Sequence, residues 1–214
     1  MLRTISLSCC SLVFALPVLL HSQVLIGPMG GLNNMSLSGD ALANTAYTSA
    51  IGFSISAVAD FSLGDETRLS FQPGYARVGT GIAITSALME PRDTLDVSVD
   101  YVTLPILARV VARNGVTYFT GGLQAAVMVK AETTPASGGA STDISSVLAD
   151  VDLALIVGLG AQIPISGMLG TVELRYSQSL LNAGKTEAAA EVFQMPARFR
   201  WSGLQLVAGV LFSL

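Results

Sequence analysis

Hydrophobic residues alternate with small or polar residues over several long stretches of the chain. Between Ile51 and Leu63, the apolar side chains of one face oppose serine, glycine and Asp60 on the other. The same alternation follows Asp152 and returns over residues 204–214. A period of two is typical of β-strands that bury only one face. The pattern therefore predicts an all-β protein.

Eight stretches carry this pattern, and together they account for one closed sheet. They cover residues 25–36, 51–63, 69–84, 97–111, 116–130, 153–163, 172–177 and 204–214. A tilted strand needs only about 9–11 residues to cross a bilayer. We therefore expect an eight-stranded antiparallel up-and-down transmembrane β-barrel over residues 23–214.

The connections between these strands alternate in length. Short, turn-rich links at 64–66, 113–115 and 166–167 separate longer stretches at 37–50, 85–96, 131–150 and 182–198. Small outer-membrane barrels combine short periplasmic turns with longer extracellular loops. This alternation predicts that both termini lie in the periplasm. Residues 133–146, rich in Thr, Ser, Gly and Ala, are expected to form a mobile loop.

Two prolines and one change of phase interrupt the predicted strands. Pro73 and Pro105 lack the N–H that a strand ladder uses, so we expect a local bulge at each. The alternation changes phase near residues 100–102, which predicts a slip in register there.

The N-terminus has the layout of a secretory signal. A single positive charge at Arg3 precedes an apolar stretch over residues 5–20, and the expected cleavage site lies near Ser22 and Gln23. Residues 1–22 are therefore predicted to be removed on export through the inner membrane.

The same assignment limits the chemistry of the mature chain, because Cys9, Cys10 and His21 all lie within the predicted signal. A mature chain without cysteine or histidine has no disulfide, no thiol nucleophile, no histidine base and no zinc site built from these residues. We expect no enzyme activity, no metal and no cofactor.

The composition favours a membrane environment. Hydrophobic residues make up 51% of the chain and charged residues 12%, against about 25% charged in ordinary globular proteins. After the signal, no apolar run is long enough for a membrane helix, so a closed barrel is the remaining way to satisfy the backbone in lipid. The net charge of −4 and the lack of a basic cluster argue against nucleic-acid binding.

Charged residues that the alternation directs into the barrel are the candidate site. An eight-stranded interior is just wide enough for side chains to fill, and buried charges need partners. We therefore predict a structural polar network that closes the lumen. The alternatives are a path for protons or solutes through the lumen, or acid–base catalysis by Glu173 with Asp152. The inward charged residues are Asp60, Arg68, Arg109, Lys130, Asp152, Glu173 and Arg175.

Five motifs resemble the PorT-like outer-membrane β-barrel proteins of Bacteroidetes and related bacteria. The resemblance implies the fold and an outer-membrane location, and it suggests a link to a protein-secretion or envelope apparatus. Thr103 stands where the family usually has an acidic residue, and Leu214 where an aromatic residue is commoner. The motifs are Gly27-Pro28-Met29-Gly30-Gly31-Leu32-Asn33, Phe71-Gln72-Pro73-Gly74, Asp100 through Leu107, Asp152 through Gly160, and Glu173-Leu174-Arg175-Tyr176-Ser177.

The function expected from sequence is a monomeric outer-membrane protein, closed to large solutes, with a structural or partner-binding role. Its expected partners are outer-membrane lipid, the barrel-assembly machinery during insertion, and a protein that contacts the extracellular loops. One alternative is a soluble exported lipocalin-like barrel that binds a small apolar ligand; another is a lipid-modifying outer-membrane enzyme, which would need a histidine that the mature chain lacks. The loop residues expected to be exposed are Asn33, Asn34, Tyr47, 89–92 and 182–198.

Overall fold

The computed structural model describes residues 24–39, 45–86, 89–185 and 199–214. The predicted signal, with its cleavage site near Ser22 and Gln23, and residues 186–198 of one predicted loop lie outside this part of the chain. The strands are β1 (Val24–Gly39), β2 (Thr45–Ser62), β3 (Thr67–Phe71), β4 (Gly74–Ser86), β5 (Met89–Val111), β6 (Thr117–Pro135), β7 (Thr142–Asp143), β8 (Val151–Ile165), β9 (Met168–Ser179) and β10 (Phe199–Ser213).

These strands form one closed antiparallel ring with eight positions. Strands β3 and β4 share one position, because both pair with β2 on one side and β5 on the other. The ring closes where β1 pairs with β10, and β7 is a short addition to the edge of β6. The predicted eight-stranded up-and-down barrel is confirmed. Among the described residues, no helix is long and apolar enough to cross a membrane.

The register gives the tilt of the strands. Cross-strand partners followed from Asp100 around the whole ring lead back to β5 at Val110, ten residues further along. A stagger of this size in an eight-stranded barrel corresponds to a strand tilt of about 40°. The interior is then narrow enough for side chains from opposite walls to meet.

The outer face of the barrel is apolar, as the alternation predicts. Ile55, Phe119 and Leu206 point outward and are 60%, 64% and 52% exposed. A soluble lipocalin-like barrel would bury these side chains and direct polar ones outward. The structure therefore contradicts the soluble alternative.

The two ends of the barrel differ. The first and last strands meet at one end, where Leu214 N–H donates to Val24 O at 3.0 Å, and the three short turns lie at the same end. We call this the terminus end and the opposite one the loop end. The interior toward the terminus end holds buried charged side chains within an apolar surround. That surround consists of Leu25, Met29, Val58, Val207 and Leu211.

The interior toward the loop end is mainly apolar, with Asp152 and Ser179 among its few buried polar side chains, which corrects the expectation of a polar lumen throughout. The alternation reverses here, because Asp96 and Ser98, the outward neighbours of Val97 on β5, are polar, so the pattern alone directs the apolar side chains outward. Val99 and Ile82 are instead completely buried. The strand residues that line this space are Met35, Leu37, Val78, Ile82, Val97, Val99, Tyr101, Ala126, Ala131, Phe199 and Trp201.

Two of the predicted long loops are largely strand. Over residues 85–96, β4 and β5 continue as a hairpin until Ser86 pairs with Met89. Over residues 37–50, β1 extends to Gly39 and β2 begins at Thr45. The polar composition of these segments suggested loops, but cross-strand hydrogen bonds extend the sheet through them.

The register slip near residues 100–102 is confirmed, since the β5–β6 pairing shifts between Asp100 and Tyr101. Pro73 lies in the break between β3 and β4, but the register with β2 is the same on both sides of the break, so the bulge expected at Pro73 is wrong. The bulge expected at Pro105 is wrong, because the β5–β6 register runs through it without a shift. Pro105 faces the break that Gln72 and Pro73 make in the neighbouring position, and its carbonyl accepts the Gln72 N–H at 3.0 Å.

Candidate functional site

Four of the charged residues singled out in the sequence meet in the terminus-end half of the lumen. Arg109 on β5 lies at the centre, with Nη1 2.5 Å from Asp60 Oδ2 and Nη2 3.4 Å from Glu173 Oε2. All three side chains are fully buried. Because β2, β5 and β9 are not adjacent in the ring, these contacts cross the lumen rather than follow one sheet face.

Besides its contact with Arg109, Glu173 accepts hydrogen bonds from two further residues. Arg175 donates through Nε to Oε1 at 2.7 Å and through Nη2 to Oε2 at 3.2 Å, and the Tyr118 hydroxyl donates to Oε2 at 3.0 Å. The Arg109 guanidinium lies 4.4 Å from the Tyr118 ring centroid, a cation–π distance. Two carboxylates and two guanidinium groups balance in charge, which buried ions require. We call Asp60, Arg109, Tyr118, Glu173 and Arg175 the charged cluster.

Local sequence explains how the cluster is positioned. Glu173 and Arg175 are two residues apart on β9, so the period of a strand places both side chains inward. Tyr118 fits because β8 has a glycine beside it: a Cβ at Gly160 would lie 2.3 Å from the tyrosine ring. The sequence did not point to Tyr118 or Gly160, because only the β6–β8 register brings them together.

Arg68 and Asp152 are placed apart from the cluster's ion pairs. Arg68 is half-buried and donates from Nη1 to Gln162 Oε1 at 3.0 Å. Asp152 lies toward the loop end, where Oδ2 accepts from Ser179 Oγ at 2.6 Å. Glu173 pairs with Gly160, eight residues along β8 from Asp152, so the structure does not join Asp152 and Glu173 in an acid–base site.

Two predicted orientations are wrong. Lys130 points outward, is 52% exposed and pairs with Glu132 at 2.7 Å, because the slip at Asp100 and Tyr101 changes the phase of the β5–β6 pairing. Asn33, expected to be exposed, is 1% exposed. Its side-chain amide donates to the Arg77 carbonyl at 3.2 Å.

The connection from β6 to β8 closes the loop end. Ile144, Val147 and Leu148 insert their side chains into the apolar interior and are 1%, 4% and 1% exposed. Residues 144–148, which we call the cap, thus correct the expectation that residues 133–146 form only a mobile loop. The one signal in the sequence was three aliphatic residues within a stretch of small and polar ones.

Backbone hydrogen bonds hold the cap. Ile144 N–H donates to Ala131 O at 3.0 Å, and Lys185 N–H donates to Val147 O at 2.8 Å. Just before the cap, the Ser145 N–H donates to Asp143 Oδ1 at 2.8 Å, and this bond holds the pKa of Asp143 below its usual range. Across the described part of the chain, no three carboxylate, cysteine or histidine side chains are grouped to hold a metal ion.

Comparison of the sequence with models of known protein families identifies a family that matches this chain. A family model described as outer membrane protein beta-barrel domain matches residues 16–183. No curated protein matches the chain.

The solved structures to which the chain is similar include three bacterial proteins. The first is Ail, the attachment invasion locus protein of Yersinia pestis, in complex with the heparin analogue sucrose octasulfate. It is 14% identical to this chain, the match covers 89% of this chain and 99% of Ail, and the TM-score is 0.47. Neisserial surface protein A is 14% identical, with 89% and 97% covered and a TM-score of 0.46. OprG of Pseudomonas aeruginosa is 10% identical, with 90% and 96% covered and a TM-score of 0.44.

Proposed function

The chain belongs to the outer membrane protein β-barrel domain family, and from this premise we propose that it is a closed, non-conducting barrel with a structural or partner-binding role in the cell envelope. Its location is the bacterial outer membrane. The proposal separates two classes of role for such a barrel: passage of solutes through the lumen, and presentation of a surface that another protein binds.

Closure of the lumen is the observation that carries the proposal. Toward the terminus end, Arg109 and Glu173 fill the cross-section with fully buried side chains. Toward the loop end, the cap adds a second, apolar closure. A solute would have to displace both, and removing a partner from a buried ion pair costs about 3–5 kcal/mol. These buried contacts therefore stabilise the barrel and oppose the passage of solutes through its lumen.

The loop end is the surface we propose for a protein partner. In small outer-membrane barrels, the short turns and the termini face the periplasm, so the loop end of this barrel faces the exterior. The β4–β5 hairpin and the exposed residues 136–143 lie there. Loops presented by a rigid scaffold are common binding elements. A secretion or envelope apparatus, as the PorT-like resemblance suggests, is the kind of partner we propose.

The remaining parts of the proposal concern lipid, assembly and catalysis. The apolar outer face contacts outer-membrane lipid, and the barrel-assembly machinery inserts the chain as a monomer. A catalytic role is not proposed, since both carboxylates of the charged cluster are bound to arginine. Asp152, in turn, accepts a hydrogen bond from Ser179.

Purified protein in planar lipid bilayers is expected to give no discrete conductance steps, because the charged cluster and the cap block the lumen at two levels. An open porin reconstituted in the same bilayers provides the positive control. Reproducible unit steps from the folded, heat-modifiable form would contradict a closed barrel.

A photo-crosslinking residue at Ser137, which is exposed at the loop end, is expected to capture a specific envelope protein in intact cells. The matched control is the same residue at Glu66, exposed in a short turn at the terminus end. Gel shifts and mass spectrometry would identify the adducts. The same adducts from both positions, or none from Ser137, would count against partner binding at the loop end.

A further inference from the structure

The loop-end half of the lumen is an apolar chamber, which is unusual in a membrane barrel, where the interior is ordinarily polar. Eleven strand residues line it, and the largest are Trp201, Phe199 and Tyr101, all at most 5% exposed. The outer face of these strands is polar at this level, where Asp96, Lys130 and Arg200 point away from the lumen. A chamber of this kind gains nothing from contact with water, so its chemistry suits an aliphatic occupant.

The cap supplies part of the filling of the chamber, beside the wall residues Tyr101, Phe199 and Trp201. Ile144, Val147 and Leu148 enter from the β6–β8 connection. On the outside, Lys185 pairs with Asp150 at 2.7 Å, with 35% and 68% of the two side chains exposed. Exposed pairs of this kind add little stability. Departure of the cap from the chamber would break its hydrogen bonds with Ala131 and Lys185, but it would leave the pairings between the strands of the ring intact.

The carboxylate of Asp152, a polar group in the chamber, lacks a full set of partners. Asp152 is 8% exposed, and its Oδ2 accepts the Ser179 hydroxyl. Its Oδ1 has no hydrogen-bond partner among the residues that the structure describes. Within the same residues, no cationic side chain forms an ion pair with it. A buried acceptor without a donor is costly, so the group complementary to it is a hydrogen-bond donor.

We propose that this chamber is a binding site for an aliphatic amphiphile whose head group donates a hydrogen bond to Asp152, and that the cap side chains occupy the site until such a ligand displaces them. The inference goes beyond the structural or partner-binding role proposed above. It describes binding without passage, because the charged cluster closes the lumen beyond the chamber.

The size of the cap side chains sets the size of the probe. Ile144, Val147 and Leu148 carry about eleven side-chain carbons together, so an occupant of similar volume has about ten aliphatic carbons. Decan-1-ol combines this length with a donating hydroxyl. Decanoate of the same length carries a negative charge, which the Asp152 carboxylate disfavours.

Trp201 makes the test direct, since it is the single tryptophan of the chain and is 2% exposed within the chamber. The folded full chain in detergent is titrated with decan-1-ol brominated at mid-chain, and quenching of Trp201 fluorescence is followed. Brominated decane and brominated decanoate, compared with the alcohol at equal concentrations within the micelles, report quenching from outside the barrel. We expect the alcohol to bind about fivefold more tightly than the alkane, as one hydrogen bond of about 1 kcal/mol implies, and decanoate to show no excess quenching.

Two variants separate the roles of the cap and of the polar group. Leu148→Ala opens space in the chamber without movement of the cap and is expected to strengthen quenching by the alcohol, while Leu155→Ala, on the outward face of the same region, leaves it unchanged. Asp152→Leu is expected to abolish the preference for the alcohol over the alkane. The proposal is overturned if the alcohol quenches no more than the alkane in both the wild type and Leu148→Ala. It is also overturned if a folded Asp152→Leu protein keeps the preference.

Discussion

Replacing Arg109 with leucine is expected to lower the free energy of unfolding of the barrel by about 3–5 kcal/mol, the range for removing one partner of a buried ion pair. Arg109 is the only residue of the charged cluster that contacts both carboxylates, Asp60 and Glu173. Leucine would leave Asp60 buried without its cation. It would also remove the guanidinium that stacks on Tyr118.

The measurement is equilibrium urea unfolding in detergent, with heat-modifiable gel mobility as the readout of the closed barrel. Arg113→Leu, at an exposed position in the turn that follows the same strand, is the matched control and is expected to change stability by less than about 0.5 kcal/mol. Arg175→Leu is expected to cost about 2 kcal/mol, because Glu173 retains Arg109 and Tyr118. Equal midpoints for the Arg109 and Arg113 variants would refute the pairing.

Replacing Gly160 with valine is expected to destabilise the barrel by about 3 kcal/mol or more. The Cβ alone would lie 2.3 Å from the Tyr118 ring, and overpacking of a filled interior commonly costs about 1–3 kcal/mol. Tyr118 would also be driven from Glu173 and Arg109, with loss of a hydrogen bond to a charged group and of the cation–π contact.

Gly121→Val is the matched control, since Gly121 lies on the outward face of the neighbouring strand. A Cβ there would be 3.8 Å from the Ile156 carbonyl, an ordinary contact. The same urea titration is expected to show a large loss for the Gly160 variant and little change for the Gly121 variant. Similar stabilities would mean that the Tyr118 position does not depend on the glycine. A Gly160→Val, Tyr118→Ala double variant is expected to recover part of the loss.

The period of two predicted the ring and its apolar outer face, because each strand alternates between the same two environments over its whole length. It also placed Asp60, Arg109, Glu173 and Arg175 inside. Their contacts could not be predicted, since they depend on the register across non-adjacent strands. Lys130 shows the limit of phase arguments, because the extra residue of β6, Val129, reverses the face of the residues that follow it on that strand.

The loop end was harder to predict for a different reason. Along β5 the alternation reverses at this end, because the inward Val97 and Val99 are apolar and the outward Asp96 and Ser98 are polar, so the pattern alone directs the apolar side chains outward. The cap could not be found from periodicity at all, because Ile144, Val147 and Leu148 belong to a connection between strands. These side chains are buried because the closed ring of strands encloses an interior into which they fit.

Closure of the ring through β1 and β10 has a consequence for how the protein is made. Leu25 pairs with Ser213, so the contact that seals the barrel joins residues at opposite ends of the sequence. Pairings at such separation carry the highest entropic cost of closing a chain segment and are typical of slow folding. Until that last pairing forms, β1 and β10 each expose an unpaired edge that invites aggregation. The chain must therefore be kept from aggregating until it reaches the membrane, and its barrel can close only after β10 has been translated.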